Sequence, residues 1–578
     1  MSLFGTWLET GLLNESSNPR KPPWRAGALL AACLVVLAAA LYLPWLGYTD
    51  MVHEETRKAV IARNMMDSGD YLVPHLADRV YLSKPPLFNW LIAATSLPGG
   101  TVTEFTARLP SVITLALTAL LMVFTAGRRL GPGGRWLLGL SILVAGQMMR
   151  VATLAVTENT FMLLVSASLW LWYELDDRGR RGLALWLPPA LLVVAAYLAK
   201  REPALIFYYL GIGAFLLTQR RFKELFSAGH LIAAAVTVGL IGLWLGAVLD
   251  RVGLEAWLAN FNHQVLQRDL STHWLQYLIQ FFRYPGDLLL GAAPLSLLLL
   301  PLAWRSVRRA LHERYGRLYV FAIVVTLVNL PIYWFRSETE VRYFQPMFPT
   351  ALVLAAMMFE TYIRAPERLS RGVHGLARAT AHFLLLLSTI LAALLVLLSI
   401  PGLFPRIAGP ITPPAFTMAL GGAALAGIGY LVARRRRETA VLLFAATVGF
   451  GMLFRIGEIT YHIPHEKERI VRQHDDVPAI LAHIRGELPA GVDHVQALGS
   501  IPHAVWFYDR TGTVVPDARY DRRGQLASPY LLVHIDNRRL LERMPFPVTV
   551  IERIPYQDGD FLLARAGRPP APNTAENK

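Results

Sequence analysis

Apolar residues along this chain come in blocks of roughly 16 to 22, the length a helix needs to cross about 30 Å of hydrocarbon. Thirteen such spans are predicted, over 27–47, 108–127, 136–149, 159–175, 183–198, 203–217, 231–249, 288–304, 318–334, 346–362, 382–400, 416–433 and 440–454. Between them the connections alternate in charge. Every second one is basic: Arg128, Arg129 and Arg135, then Arg178, Arg180 and Arg181, then Arg220, Arg221 and Lys223, then the arginines of 305–317, 364–378 and 434–437. Basic residues are retained in the cytoplasm, so these connections and the N-terminus are predicted to be cytoplasmic. The connections 48–108, 150–158, 200–202, 250–287, 335–345 and 401–414 then lie outside, with the C-terminal tail.

After residue 454 the pattern changes. Residues 477–488 carry apolar positions at helical spacing, and 494–498, 504–508, 530–534, 548–551 and 561–564 read as short strands between Gly, Pro and Asp turns. Two domains follow, a transmembrane one over 1–454 and an outer α/β domain over 455–578 whose Pro- and Ala-rich end reads as disordered.

Composition agrees with a polytopic α-helical membrane protein: 54% of the 578 residues are hydrophobic and 17% charged. The net charge of +15 sits mostly in arginine clusters between spans, which act as topology signals and attract anionic lipid headgroups. Nucleic acid is not an expected partner. The first span ends without a small-residue cleavage site and reads as retained. Cys33, the one cysteine, excludes an intrachain disulfide framework and reads as a small apolar residue.

The candidate chemistry is in the outer connections. Glu54 and Glu55 open a segment with Val60, Ile61, Met65 and Met66 on one face and Arg57, Lys58 and Arg63 on another, which predicts an interfacial helix. The two acids either favour a helix N-terminus or provide a general base at the lipid boundary. In Lys84-Pro85-Pro86 the prolines stiffen the backbone and aim the ammonium, as phosphate binding requires, or the lysine snorkels ahead of a second interfacial helix at 86–96. Glu158 lies at the mouth of a span, where an acid is costly, with Thr157 and Asn159 beside it as alternative helix caps.

Lys200 and Arg201 run against the charge rule and suit an anionic ligand or a salt bridge to Glu202. In 250–287, Arg268 and His263 offer contacts to phosphate, and a divalent ion at His263 stays open although a lone histidine is a weak metal signal. Arg342 and Tyr343 place another arginine at the outer boundary of a span.

The order Glu55-Thr56-Arg57, Ser68-Gly69-Asp70-Tyr71-Leu72-Val73-Pro74-His75, Tyr81-Leu82-Ser83-Lys84-Pro85-Pro86-Leu87 with Trp90, and Ala107-Arg108-Leu109-Pro110 resembles the first outer loop of the protein O-mannosyltransferase-like superfamily. These are multi-spanning glycosyltransferases of GT-C type (families 39 and 83), and the bacterial aminoarabinose transferases of lipid A are the nearest match. The resemblance covers about 45–115 and persists in 200–203 and 342–349.

It implies transfer of a sugar from a polyprenyl-phosphate donor (undecaprenyl in bacteria) to a lipid A-like acceptor on the periplasmic face of the inner membrane, or else to a protein or another envelope glycan. Glu54 and Glu158 stand where the family usually has aspartate, and Ser83 where it often has glutamate, which removes a potential metal ligand. On this reading Glu54 is the base or stabilises the cationic sugar carbon, and Glu158 is the second acid. Lys84 and Arg268 meet the lipid phosphate, with Lys200 or Arg201 in support, and Glu55 is the structural member of its pair. The rival classes are a transporter or flippase of lipid-linked sugars, for which no internal repeat is visible, and an assembly protein whose outer domain binds a partner.

Overall fold

The computed structural model describes residues 23–51, 54–76, 79–255, 257–258, 274–335, 339–398, 439–459, 476–499, 501–509, 512–515, 528–544, 546–556 and 559–567. Among these, six helices are long and apolar enough to cross a membrane: Glu104–Arg129, Leu183–Lys200, Ala228–Val252, Arg317–Trp334, Gln345–Arg364 and Arg371–Leu394. Shorter apolar helices occupy Gly27–Tyr42, Pro203–Thr218 and Leu443–Gly457. The chain is a multi-pass membrane protein. Its centre is Gln345–Arg364, 94% of whose apolar window is enclosed by other helices, whereas Ala228–Val252 is only 17% enclosed and presents its apolar side chains outward.

Several helix boundaries follow from local chemistry. Thr103 accepts from the Thr106 amide and Thr106 returns the bond, a reciprocal cap that starts Glu104–Phe124. Pro203 and Pro331 each sit in a first helical turn, where a missing N–H costs nothing. Two expected spans differ. The block at 136–149 is divided into Pro132–Val144 and Gly146–Ala152, because Ala145 adopts an extended backbone and Gly146 donates instead to the Ala293 carbonyl (3.1 Å). The block at 288–304 is not one α-helix: Trp274–Gly291 runs into it, and Leu295–Ala303 is a 3-10 helix between Pro294 and an internal Pro301. The block at 416–433 lies outside the described residues.

The loop expected outside is a small packed unit. Its helix Glu54–Ser68 was expected to lie along the membrane, but Glu55, Thr56, Lys58, Ala59, Val60, Ile61, Ala62 and Met65 are all buried. The helix is wedged between Leu87–Ser96 and the helix His503–Tyr508 of the C-terminal segment. Met51, Ala59, Val60, Phe88, Ile92, Val102, Ala107, Ala155 and Phe507 share one apolar cluster there. A two-residue hairpin, β1 (His75–Leu76) with β2 (Arg79–Val80), leads to Tyr81.

The C-terminal segment has a helix, Val477–Glu487, capped by Asp476, against a five-stranded sheet. Its strands are β3 (Val495–Leu498), β4 (Val514–Val515), β5 (Tyr530–His534), β6 (Val548–Ile554) and β7 (Phe561–Ala566), in the order β4-β3-β5-β7-β6. β3 is parallel to β4 and β5, and β7 is antiparallel to β5 and β6. Residues 504–508, expected as a strand, form the helix His503–Tyr508 instead. Its buried Ala504, Val505 and Phe507 find their partners on two different bodies, which strand alternation could not satisfy. Arg63 holds this helix to the loop by donating to the carbonyls of Phe507 (2.9 Å) and Trp506 (2.5 Å), and Met51 N–H donates to the Tyr508 hydroxyl (2.7 Å).

Candidate active site

The two adjacent acids of the loop helix separate into different environments. Glu55 is buried and accepts from Arg108 Nε (2.9 Å) and Nη2 (3.1 Å) and from the Ala155 amide (2.8 Å). Arg108 spends its other N–H groups on the carbonyls of Leu46, Thr49 and Asp50. A bidentate, fully satisfied pair of this kind fixes geometry, and it rivets the loop helix to the first long span. Glu54 has a side chain 48% exposed and turns the other way.

Glu54, Arg57 and Lys58 share one helical face, and this face forms one wall of an open cavity of about 900 Å³. The other walls are Tyr81, Ser83 and Lys84 from the loop, Val156, Thr157 and Glu158 at the start of the helix Glu158–Asp177, Lys200 at the end of Leu183–Lys200, and Arg342 and Tyr343 from a 3-10 turn. Five chain segments therefore converge.

Five cationic side chains, Arg57, Lys58, Lys84, Lys200 and Arg342, face two carboxylates. Glu54 accepts from Arg57 Nη2 and from Arg342 Nη1, both at 3.2 Å. Glu158 accepts from Lys200 Nζ at 3.1 Å, and the lysine also lies 4.8 Å from the Tyr343 ring centre. Glu158 Oε2, Lys58 Nζ, Arg57 Nε and Arg342 Nε are buried without a hydrogen-bond partner. Thr157 makes no side-chain cap to the helix it precedes, and Asn159 bonds to the Ser111 carbonyl and Gln345.

The crowding of positive charge is felt by the amines themselves. Burial, reinforced by Lys84 and Arg57, pulls Lys58 down to about 7. Burial, reinforced by Lys200, pulls Lys84 down to about 8. Arg342 moves upward: burial opposes its charge, but Glu158, Glu54 and Glu340 outweigh that cost. Such a cavity is arranged for an anion.

Of the residues singled out from sequence, Glu54, Arg57, Glu158, Lys84, Lys200, Arg342 and Tyr343 line the cavity, while Glu55 stands behind it. Arg201 does not line it; its guanidinium bonds to Glu202 (3.0 Å) and lies over Trp257 (6.0 Å). His263 and Arg268 lie outside the described residues. The sequence reading missed Lys58 and Tyr81 as wall residues. The spacing of Lys58 four after Glu54 was the available signal, and Lys58 was read instead as part of the polar face of an interfacial helix.

The cavity does not fit a divalent cation. Glu54 and one oxygen of Glu158 are already matched to cations, and the surplus charge is positive. Among the described residues, one group of three side chains with metal-ligand chemistry comes together, His483, Glu487 and Glu552 on the C-terminal segment, and it is largely exposed.

Residues 83–244 match the family described as dolichyl-phosphate-mannose-protein mannosyltransferase. The structure superposes on ArnT from Cupriavidus metallidurans bound to undecaprenyl phosphate with a TM-score of 0.64, covering 92% of this chain and 97% of that one at 20% identity. The chain therefore shares the GT-C membrane fold of that structure. In sequence it is similar to proteins named undecaprenyl phosphate-alpha-4-amino-4-deoxy-L-arabinose arabinosyl transferase. One, from Pectobacterium atrosepticum, is 31% identical over 375 residues, 61% of this chain and 65% of the relative. Another, from Pseudomonas aeruginosa, is 30% identical over 329 residues, 56% and 58%. The matched region spans less than two thirds of these relatives' own length.

Proposed function

We propose that the protein is an integral membrane glycosyltransferase that moves a sugar from a polyprenyl-phosphate-linked donor to a lipid A-like acceptor on the periplasmic face of the bacterial inner membrane, with its N-terminus cytoplasmic and its C-terminal domain periplasmic. The observation that carries this is the cavity's surplus of cations around two carboxylates, one opening the loop helix Glu54–Ser68 and one opening the helix Glu158–Asp177. The relatives' names supply the donor class.

In the reaction the bond from the anomeric carbon to the donor phosphate breaks, and its electron pair stays on the phosphate. Lys84, with Lys200 and Arg342 behind it, is placed to hold that phosphate, and charge-assisted contacts favour the more charged leaving group over the bound donor. Arg268 is assigned to the same phosphate. An acceptor oxygen forms the new bond. Glu54 takes its proton when the acceptor is a hydroxyl, and orients it when the acceptor is itself a phosphate. The free oxygen of Glu158 is available to a hydroxyl or amine of the sugar.

The test is transfer in membranes from undecaprenyl phosphate-α-4-amino-4-deoxy-L-arabinose to lipid A, followed by mass spectrometry. Glu54→Gln and Lys84→Ala should each lower the rate by about a hundredfold or more at equal expression. Near-normal turnover by both would sink the assignment, as would movement of the donor across the membrane with no covalent product. The matched family's description favours a second reading, a protein acceptor; sugar appearing on protein and not on lipid would establish it.

A further inference from the structure

Lys58 is 4% exposed yet faces the cavity, and its ammonium makes no hydrogen bond. Its neighbour is the face of the Tyr81 ring, 5.5 Å away. An uncompensated buried ammonium is expensive. Lys200 and Arg342, by contrast, each hold a carboxylate at 3.1 to 3.2 Å. Neither acid of the cavity bonds to Lys58: Glu54 is held by two arginines, and Glu158 by Lys200 through one of its oxygens. What Lys58 lacks is an anion, and the space it shares with Lys84 is where one would sit.

We propose that Lys58 is a second ammonium contact to the phosphate of the lipid-linked donor, opposite Lys84, and that it acts mainly on the charge that appears as the sugar leaves. This rests on the transferase reading above. A sugar phosphodiester carries a single negative charge. When the glycosidic C–O bond breaks, its electron pair stays on the phosphate oxygen, the acceptor oxygen bonds to the sugar carbon, and any acceptor proton passes to Glu54. The phosphate becomes a monoester whose second ionisation lies near pH 6, so a second negative charge develops. One ammonium matches the donor; the second gains its partner as the bond breaks. Arg57 and Glu54 from its own helix, Lys84 and Tyr81 from the loop, and Glu158, Lys200 and Arg342 across the cavity surround the amine. As pH rises above about 7 the empty site loses the Lys58 proton, while a bound phosphate dianion retains it, so the contact weakens progressively on the alkaline side.

The experiment uses the purified full chain in lipid nanodiscs, with undecaprenyl phosphate binding, transfer kinetics and thermal melting measured for wild type, Lys58→Met, Lys58→Arg and Lys84→Ala. Lys58→Met should weaken binding about tenfold near pH 6.5 and clearly less near pH 8.5, and lower kcat more than it raises donor KM. Lys58→Arg should restore most of both. Melting of Lys58→Met should be unchanged or higher, since a buried unpaired charge has gone. Wild-type affinity in Lys58→Met at both pH values, with binding lost in Lys84→Ala, would overturn the inference and leave the transferase reading standing. Loss of binding together with a lower melting temperature and no rescue by arginine would assign Lys58 a structural role and overturn it too. Failure of the wild type to bind would remove both.

Discussion

The helix Glu158–Asp177 carries acids and their arginine or lysine partners at both ends, about 30 Å apart, and the two ends are built to opposite specifications. At the inner end, Asp176 accepts from Arg181 (2.8 Å), from Arg221 (2.7 and 3.0 Å) and pairs with Arg317, while Glu174 is held by Arg128 and Arg129. Both oxygens of each of these acids are covered. At the outer end one oxygen of Glu158 is bare, Lys58 has no partner, and Arg57 and Arg342 each keep a free Nε–H. A closed network fixes helices in place; an open one with the same residue types holds binding capacity in reserve for a ligand. The acids separate the two ends: Glu174 and Asp176 keep no unmet oxygen, although Arg317 Nη2 beside Asp176 lacks a hydrogen bond, whereas Glu158 keeps one.

The sharpest way to break this distinction is to neutralise one acid at each end. Glu158→Gln should lower transfer about a hundredfold and lower melting less than the inner change does, because Lys200 keeps its contact with Tyr343 and an amide oxygen can still accept. Asp176→Asn should do the reverse. Its side chain is fully buried among three arginines, and breaking a buried pair costs about 3 kcal/mol, so yield and melting temperature should fall while turnover per folded molecule stays near wild type. Equal stability losses at both ends, measured by thermal melting in matched detergent, would erase the difference.

Much of the outer end was legible in the sequence because it broke a trend. Lys200 defied the charge rule, Glu158 sat where acids are costly, and Lys84 was stiffened by two prolines. The inner arginines obeyed the rule, so they read as topology alone, and their buried acids went unnoticed. Pairing was invisible for a different reason. Lys58 is a wall residue only once the loop helix meets segments far along the chain, Glu158, Lys200 and Arg342 among them, and nothing local says that Lys200 turns inward to Glu158 while Arg201 turns away to Glu202. The membrane fold was legible from hydrophobic blocks, but prolines within 288–304 and the extended Ala145 divided two of them in ways that hydropathy does not register.

The smallest predicted effect concerns the seam through which the C-terminal segment reaches the open end. Tyr508 accepts the Met51 amide three residues before Glu54, and its neighbours Trp506 and Phe507 accept from Arg63 on the same helix as Glu54. Burial pushes the Tyr508 hydroxyl up, so it stays neutral and available as an acceptor across the working range. Tyr508→Phe removes that acceptor and strands a part-buried N–H, a loss of about 1 kcal/mol that falls on the chain entering the loop helix and leaves the bundle untouched. Donor KM should rise a few-fold with a melting shift of a degree or two, whereas the closed inner network should not respond. If donor KM is unchanged while melting falls, the seam is a fastening only, and the cavity holds its shape without help from the C-terminal segment.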